Sequence, residues 1–566
     1  MMAIISHMRQ ILQNGFSLFL RRQNSILSAA AILILTYGLS HLVGLLKTRL
    51  LISYFFGSSA SLLDVYYAAF VIPDTVFQLL IIGSLSAAFI PVFTRLLSKD
   101  ENEAWRTASI SLNLVILAFL ILSVFIFIFA HPLSRLIAPG FNPSQISIMA
   151  SLLRVMLGAQ LFFAVSGFLT GMIQSHQRFL APALAPVAYN LGIILGIIVL
   201  SPTLGILGPA LGVVFGAFLH MVIQLPIALR LGFRFSLNLD IRRPTVREIV
   251  RLLPPRTLAL GIDQIEQFVA VFLASLLVPG SLSLLNVSRL LYAIPSSLFG
   301  VTIGQAALPT LSRQSTQNDL QQFRATLAGS FLQVSFLALP LSVLLIVLRV
   351  PIVRLVFGSQ SFPWAATLLT GKTLAVLAAS AAFAAIIQLV IRAFYALHDT
   401  RTPLTVGFFS AVFDTVLAII LVRYFQMGVL GIAAAISATA VIEALVLSFI
   451  LEHRLGAPRP LESALFRALA KMIFISFITG VSLWLPMRLL DQFVFDTTRT
   501  LPLLLLTLTT GSIGLSVYLL LSYLFKVEEL ASFATLVVRI WSWRKLLTSP
   551  PEAPSEPVIL PAPDQN

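Results

Sequence analysis

The 566-residue chain contains no cysteine, little charge and few acids. Without cysteine there is neither a disulfide nor a thiolate metal site. Charged residues make up 10% of the chain, against about a quarter in an ordinary soluble protein. So little charge cannot cover a core of this size, so the solvent over most of the surface must be lipid. Acids number 22 against 37 Lys and Arg, giving a formal charge of +15. Such a surplus can mark a nucleic-acid binder. Here, however, the bases sit in short loops between apolar runs, as they do beside membrane spans, and no nucleic-acid partner is expected. There is no Walker loop, no HExxH pair, no DxD motif and no soluble stretch long enough to hold a nucleotide. An enzyme is therefore not expected, and transport would have to draw on an ion, potential or substrate gradient.

What is abundant is apolar sequence, 58% of residues, with a mean hydropathy of +0.97. A spanning helix needs about 20 mostly apolar residues. Candidate spans lie near 25–46, 65–94, 107–130, 148–174, 181–201, 205–229, 252–277, 284–310, 326–349, 366–395, 403–422, 429–451, 464–487 and 500–525. The expected fold is thus an all-α polytopic membrane protein of about 14 helices. With the N-terminus set inside, roughly three-quarters of the loop Lys and Arg fall on the inner side, including Arg95, Arg178, Arg242, Arg243, Arg313, Arg401 and Arg454. Both termini are expected in the cytoplasm. Residues 1–24 show no small-residue cleavage site and read as a cytoplasmic or interfacial segment; 531–566, rich in Pro, Ala and acids towards the end, read as a partly disordered tail.

The chain repeats itself. Ala88-Phe89-Ile90-Pro91 with Arg95 returns as Ala306-Ala307-Leu308-Pro309 with Arg313, the proline and the arginine keeping one offset. Ile72-Pro73 returns as Ile294-Pro295, and the loop ending at Pro182 returns at nearly the same offset as the loop ending at Pro403. Transporters are often built from such repeats. The expected organisation is an N-lobe (25–230), a basic linker (231–251), a C-lobe (252–455) and two further helices within 456–530. The two six-helix lobes would surround a central cavity.

These landmarks also resemble a known family. Ser40, His41, Gly44, Lys47, Gly57 and Asp64, then Pro73, Gly83 and Pro91, follow the order of the first two helices of the MurJ/MviN lipid II flippases. This family belongs to the multidrug/oligosaccharidyl-lipid/polysaccharide exporter superfamily. Ser288-Arg289-Leu290, Pro295, Gly300, Gly304 and Pro309 are similar to its eighth helix, and Phe394-Tyr395-Ala396 with Asp399 and Pro403 to the loop after its tenth. The resemblance covers roughly 25–455. It implies a flippase moving a lipid-linked anionic precursor across the bacterial inner membrane for peptidoglycan and cell-wall synthesis. By the same resemblance, the last two helices would form a groove for the lipid tail. The chain departs from the family's cavity arginines: His41 and Lys47 stand at the first two positions, Phe77-Gln78 replaces a helix-two pair, and only Arg289 is kept.

Ionisable residues within or at the edges of the spans are His41, Lys47, Asp64, Asp74, Arg154, Arg256, Asp263, Glu266, Arg289, Lys372, Arg392, Asp414 and Glu443. Each costs about 2.5–3.5 kcal/mol at the bilayer centre on insertion scales, so each needs a reason. The candidate substrate-binding set is Arg289, Lys47, His41, Asp64 and Gln78. Arg289 is either an acid-paired or snorkelling arginine or a bidentate ligand for pyrophosphate. Lys47 snorkels or contacts substrate, and His41 is a partnered core histidine or a ligand. Asp64 suits a helix N-terminus, or pairs with Lys47 or Arg289 as part of a gate. Asp263 and Glu266 share a helix face, and Asp414 sits in the middle of the eleventh span. These acids stay protonated, pair with Arg256 or Lys372, or bind a cation. Some members of the resembled family have a sodium site between the seventh and eleventh helices, which would place Asp263, Asp414 and Ser410 around sodium. Beside lipid II transport stand three other functions: flipping of another undecaprenyl-linked glycan, drug/cation antiport, and a non-transporting scaffold.

Overall fold

The structure, a computed structural model, describes residues 26–82, 89–176, 178–456, 459–497, 499–531 and 533. The side chains of 26–35, 37, 58, 81, 82, 252–260, 263 and 459–464 fall outside that description. So do the N-terminal segment 1–24, residues Gly83 to Ala88 of the repeat, and nearly all of 531–566. Among the described residues every element is helical.

The long helices are α1 (26–58), α2 (Ser59–Leu80), α3 (Glu101–Ile128), α4 (Pro143–Ser175), α5 (Leu180–Leu204), α6 (Leu207–Arg230) and α7 (Pro244–Ser275). They continue with α8 (Ser281–Thr316), α9 (Leu320–Val347), α10 (Trp364–Ala378 and Ala381–Ala396, bent by 42°), α11 (Arg401–Arg423), α12 (Val429–Leu455), α13 (Arg459–Phe493) and α14 (Thr500–Leu524). Among the described residues, eleven helices are long and apolar enough to cross a membrane, and bent α10 makes a twelfth. α1 and α7 occupy the remaining expected positions, and α7 contributes the shorter apolar stretch Gln264–Ser275.

Several ends differ from expectation, each for a local reason. α1 does not stop near residue 46. Apolar residues continue to Phe56, and helical geometry breaks only at Ser59 (φ −158°, ψ 54°). Lys47 and Arg49 therefore lie inside a helix rather than in an outer loop. α3 and α9 each start earlier than expected because an aspartate caps them: Asp100 accepts from the Glu103 N–H and Asp319 from the Gln322 N–H. α7 begins at Pro244, within the stretch read as linker, with proline in its first turn. The linker itself is strapped to α3. Asn113 Nδ2 donates to the carbonyls of Ser236 (2.8 Å) and Asn238 (2.9 Å), and Ser109 Oγ to that of Arg234 (3.1 Å).

The repeat is visible in the backbone. α3 and α9 each run for 28 residues and lead into short helices, Ala130–Ile137 and Arg349–Phe357. Pro73 and Pro295, which each remove a backbone hydrogen bond, precede π-helical turns at Gln78–Ile82 and Ser296–Val301. The turns before α6 and α12 use Gly205 (φ 55°, ψ −132°) and Gly428 (φ 58°, ψ −137°), a conformation that side-chain-bearing residues avoid.

The buried apolar residues show how the lobes meet. At the end away from the basic loops, one continuous core joins them: Leu51, Phe55, Leu63 and Met156 from the N-lobe with Leu284, Leu291, Phe357 and Phe362 from the C-lobe. At the basic end each lobe has its own core. Phe89, Phe93, Trp105 and Phe168 centre the first; Leu311, Phe323, Phe394 and Leu451 centre the second. α13 packs on α9 and α14, around Phe336, Met472, Ile475 and Tyr518.

Candidate functional site

Side chains latch the joined end. Asp64 of α2 is buried and reaches the N-terminus of α8. Its carboxylate accepts from the Gly280 N–H (2.6 Å), the Ser283 N–H (2.7 Å) and Ser283 Oγ (2.6 Å). It thus satisfies backbone donors that the first helical turn leaves unpaired. Arg49 NH1 donates to the Leu355 carbonyl at 2.9 Å, and Phe56 meets Phe362 edge-on at 5.0 Å. Gly57 permits a close approach: a Cβ there would lie 2.9 Å from the Ser361 backbone. Asp64 therefore acts here between lobes, as a cap on the other lobe's helix.

Beneath the latch lies a cavity of about 170 Å³ between the lobes. α2 lines it with Tyr67, Phe70, Val71 and Asp74, α7 with Gln267, Ala270 and Val271, and α8 with Leu282, Leu285, Asn286 and Arg289. Arg289 NH2 contacts Glu266 Oε1 at 2.9 Å. The acid partner of Arg289 is thus Glu266, one helix away. The sequence offered Arg256 or Lys372 as partners for these acids, beside protonation or a bound cation; Lys372 is exposed, and the Arg256 side chain lies outside the described residues. Nearby, Asp414 of α11 is 4% exposed and lies beside Thr439 of α12. The Asp414 carboxyl and the Thr439 hydroxyl meet each other, and Asp414 Oδ1 and Thr439 Oγ1 are buried with no other hydrogen-bond partner among the described residues. Buried oxygens with so few partners are costly unless something polar meets them. Ser410 is one turn before Asp414 and half-buried; the Asp263 side chain lies outside the described residues.

The other candidates spread out. Lys47 is half-buried on α1, and His41 is exposed on the same helix. Gln78 hydrogen-bonds Asp74, one turn earlier on α2. Asp74 and Thr439 were absent from the candidate set. Asp74 carried a usable signal, an acid one turn from Gln78 on the same helix face. Thr439 carried none.

Deep in the N-lobe, neutral groups bond one another instead. Ser166 Oγ lies 2.6 Å from His220 Nδ1, Gln224 Nε2 donates to Ser166 Oγ (2.7 Å), and Thr170 Oγ1 donates to Gln224 Oε1 (2.7 Å). A separate crevice of about 200 Å³ runs between α8, α9, α13 and α14. It is almost wholly apolar, with Phe299, Phe336, Pro340, Leu344, Leu483 and Leu515 among its walls.

Comparison with known proteins converges on one architecture. The family model described as lipid II flippase MurJ matches residues 52–504. The probable lipid II flippase MurJ of Bdellovibrio bacteriovorus is 26% identical over 475 residues, covering 83% of this chain and 89% of its own length. That of Thermotoga maritima is 30% identical over 403 residues, covering 70% and 80%. A solved lipid II flippase MurJ in an inward closed conformation superposes with a TM-score of 0.73 at 24% identity, covering 88% of this chain and 98% of that one. An inward-facing multidrug-resistance transporter of the MATE family gives 0.62 at 15% identity, covering 76% and 96%. At those identities the two structures speak to the fold.

Proposed function

The chain belongs to the lipid II flippase MurJ family, and on that premise we propose that it carries lipid II from the inner to the outer leaflet of the bacterial inner membrane, supplying peptidoglycan synthesis. It is a multi-pass membrane transporter and not a catalyst. The cargo's pyrophosphate-sugar head is too polar to cross hydrocarbon, and burying such groups without partners costs several kcal/mol or more. The observation that carries the reading is the inter-lobe cavity with Arg289 in its wall, sealed at one end by Asp64 and flanked by separate lobe cores at the other. Arg289 presents a planar fork suited to a phosphate, while the apolar crevice beside α13 and α14 suits a polyprenyl tail.

At about 170 Å³ the cavity is smaller than the ~300–1,000 Å³ of ordinary ligand pockets, so the lobes must part to admit a head group. α7 belongs to both lobes. Its first turn is tied to the N-lobe through Glu248 with Arg95 and Thr245 with Thr107, whereas Glu266 holds Arg289 of α8. Rocking of the lobes would therefore flex α7 between these anchors, where Pro254-Pro255 stand in the sequence. Sodium held by Asp414, Thr439, Ser410 and Asp263 would couple that movement to an ion gradient.

Complementation of a conditionally flippase-depleted bacterium, read out as lipid II exposed on the outer leaflet, tests the function; growth without outward lipid II would refute it. Reporter fusions after Lys99 and Arg243 should report cytoplasm, and those near Asn142 and Gly358 the outside.

A further inference from the structure

The cavity that should hold an anionic head group has one acid and one base in its wall, and so no surplus of positive charge. Its C-lobe wall carries Arg289, whose charge is already met by Glu266 at 2.9 Å. Its N-lobe wall carries Asp74, and the side chain that hydrogen-bonds Asp74 is Gln78, a neutral amide on the same helix. With Arg289 already paired and a carboxyl in the opposite wall, a cargo carrying only phosphates would leave Asp74 facing like charge in a poorly solvated space. The imbalance disappears if the head group also carries positive charge.

We propose that Asp74 forms a subsite for a primary ammonium on the cargo's head group, while Arg289 takes its phosphate; this rests on the flippase reading above. Asn286 completes the subsite. Its Nδ2 is bound to the Leu282 carbonyl at 2.9 Å, which leaves Oδ1 as an acceptor in the cavity wall. An ammonium has three donors and no acceptor, so a carboxylate and an amide oxygen match it, and an acetylated amine loses both the charge and most of the donors. The two lobes then read opposite charges on one molecule, and the cargo itself would bridge them as the cavity closes.

The test is transport by the full-length chain reconstituted in liposomes. Two cargoes are compared, lipid II with a free amine on its peptide side chain and the same lipid N-acetylated there. The wild type should favour the free amine by roughly ten-fold, the effect of losing one charge-assisted hydrogen bond. Asp74→Asn should bring the ratio of the two rates to about one, and Asp74→Glu should keep a preference. The ratio is taken within each preparation, so a variant that folds in lower yield still reports. If wild type moves both cargoes without preference, or Asp74→Asn keeps the wild-type ratio, the ammonium subsite is wrong and the flippase reading stands. If wild type moves neither cargo, the flippase reading falls and the subsite with it.

Discussion

The N-lobe and C-lobe repeat one backbone and fill it with different chemistry. Behind the N-lobe wall, Ser166, Thr170, His220 and Gln224 form a closed network that satisfies itself. In and behind the C-lobe wall, Glu266 pairs with Arg289, and the buried Asp414 carboxyl has only Thr439 beside it. Corresponding loops differ in the same sense. Where the loop before α5 has Arg178, the loop before α11 has Asp399. Burial works against the Asp399 charge, but the Thr402 hydroxyl and N–H and the Arg454 guanidinium outweigh it and hold the carboxyl down at about 2. Duplication thus conserved the geometry that a membrane demands of a backbone. The polar interior was free to differ, with a self-sufficient network of neutral groups in one lobe and a set of charges in the other.

Substitutions at four positions can break or sharpen that contrast. The largest effect is expected from Arg289→Ala, which should slow transport by at least roughly ten- to a hundred-fold with normal membrane insertion, as for loss of a charged hydrogen-bonding group. Arg289→Lys should recover part, because a point charge lacks the bidentate fork. Full activity in the alanine variant would remove the C-lobe charge from the mechanism.

Next comes Asp64→Asn at the seam between the lobes. It weakens a charged cap on α8 worth about 1.5–3 kcal/mol and should tip the lobes towards opening at that end. A cysteine placed at Ser361 would report this cleanly by thiol labelling, since the chain has no other cysteine. Unchanged labelling would mean that Asp64 does not hold the latch.

Asp414→Asn should abolish the difference between transport in sodium and in potassium buffers. Wild-type transport that is indifferent to sodium would end the idea of a cation site in the C-lobe. The smallest effect on transport is expected from Ser166→Ala in the N-lobe. It should lower thermal stability by about 1–3 kcal/mol by leaving Gln224 and His220 short of a partner, while transport per folded molecule stays within about two-fold, a change of under about 0.5 kcal/mol. A transport defect as deep as that of Arg289→Ala would erase the distinction between the lobes.

Much of the fold could be read from local sequence. Apolar runs of spanning length signal the helices and matching landmarks at a nearly constant offset signal duplication, whereas the helix starts capped by Asp100 and Asp319 were placed too late. The readings failed where a helix ran through a stretch that looked like a loop, as α1 does past Lys47. There the apolar run and the missing breaker outweighed two bases. The candidate site was half legible. Arg289 and Asp414 stood out because ionisable residues are rare in hydrocarbon-spanning helices.

The sequence by itself determined a helical membrane protein with two related lobes and two added helices, because hydrophobic length, loop charge, caps and prolines all act within a few residues of where they are written. Only the tertiary structure decided what those rare polar residues do. Asp64 caps a helix of the opposite lobe, Arg289 is the base that meets Glu266, and Asp74 faces the same cavity as Arg289. A charge in a membrane takes its meaning from whichever group is brought within hydrogen-bonding distance, and it is the packing of one lobe against the other that chooses that group.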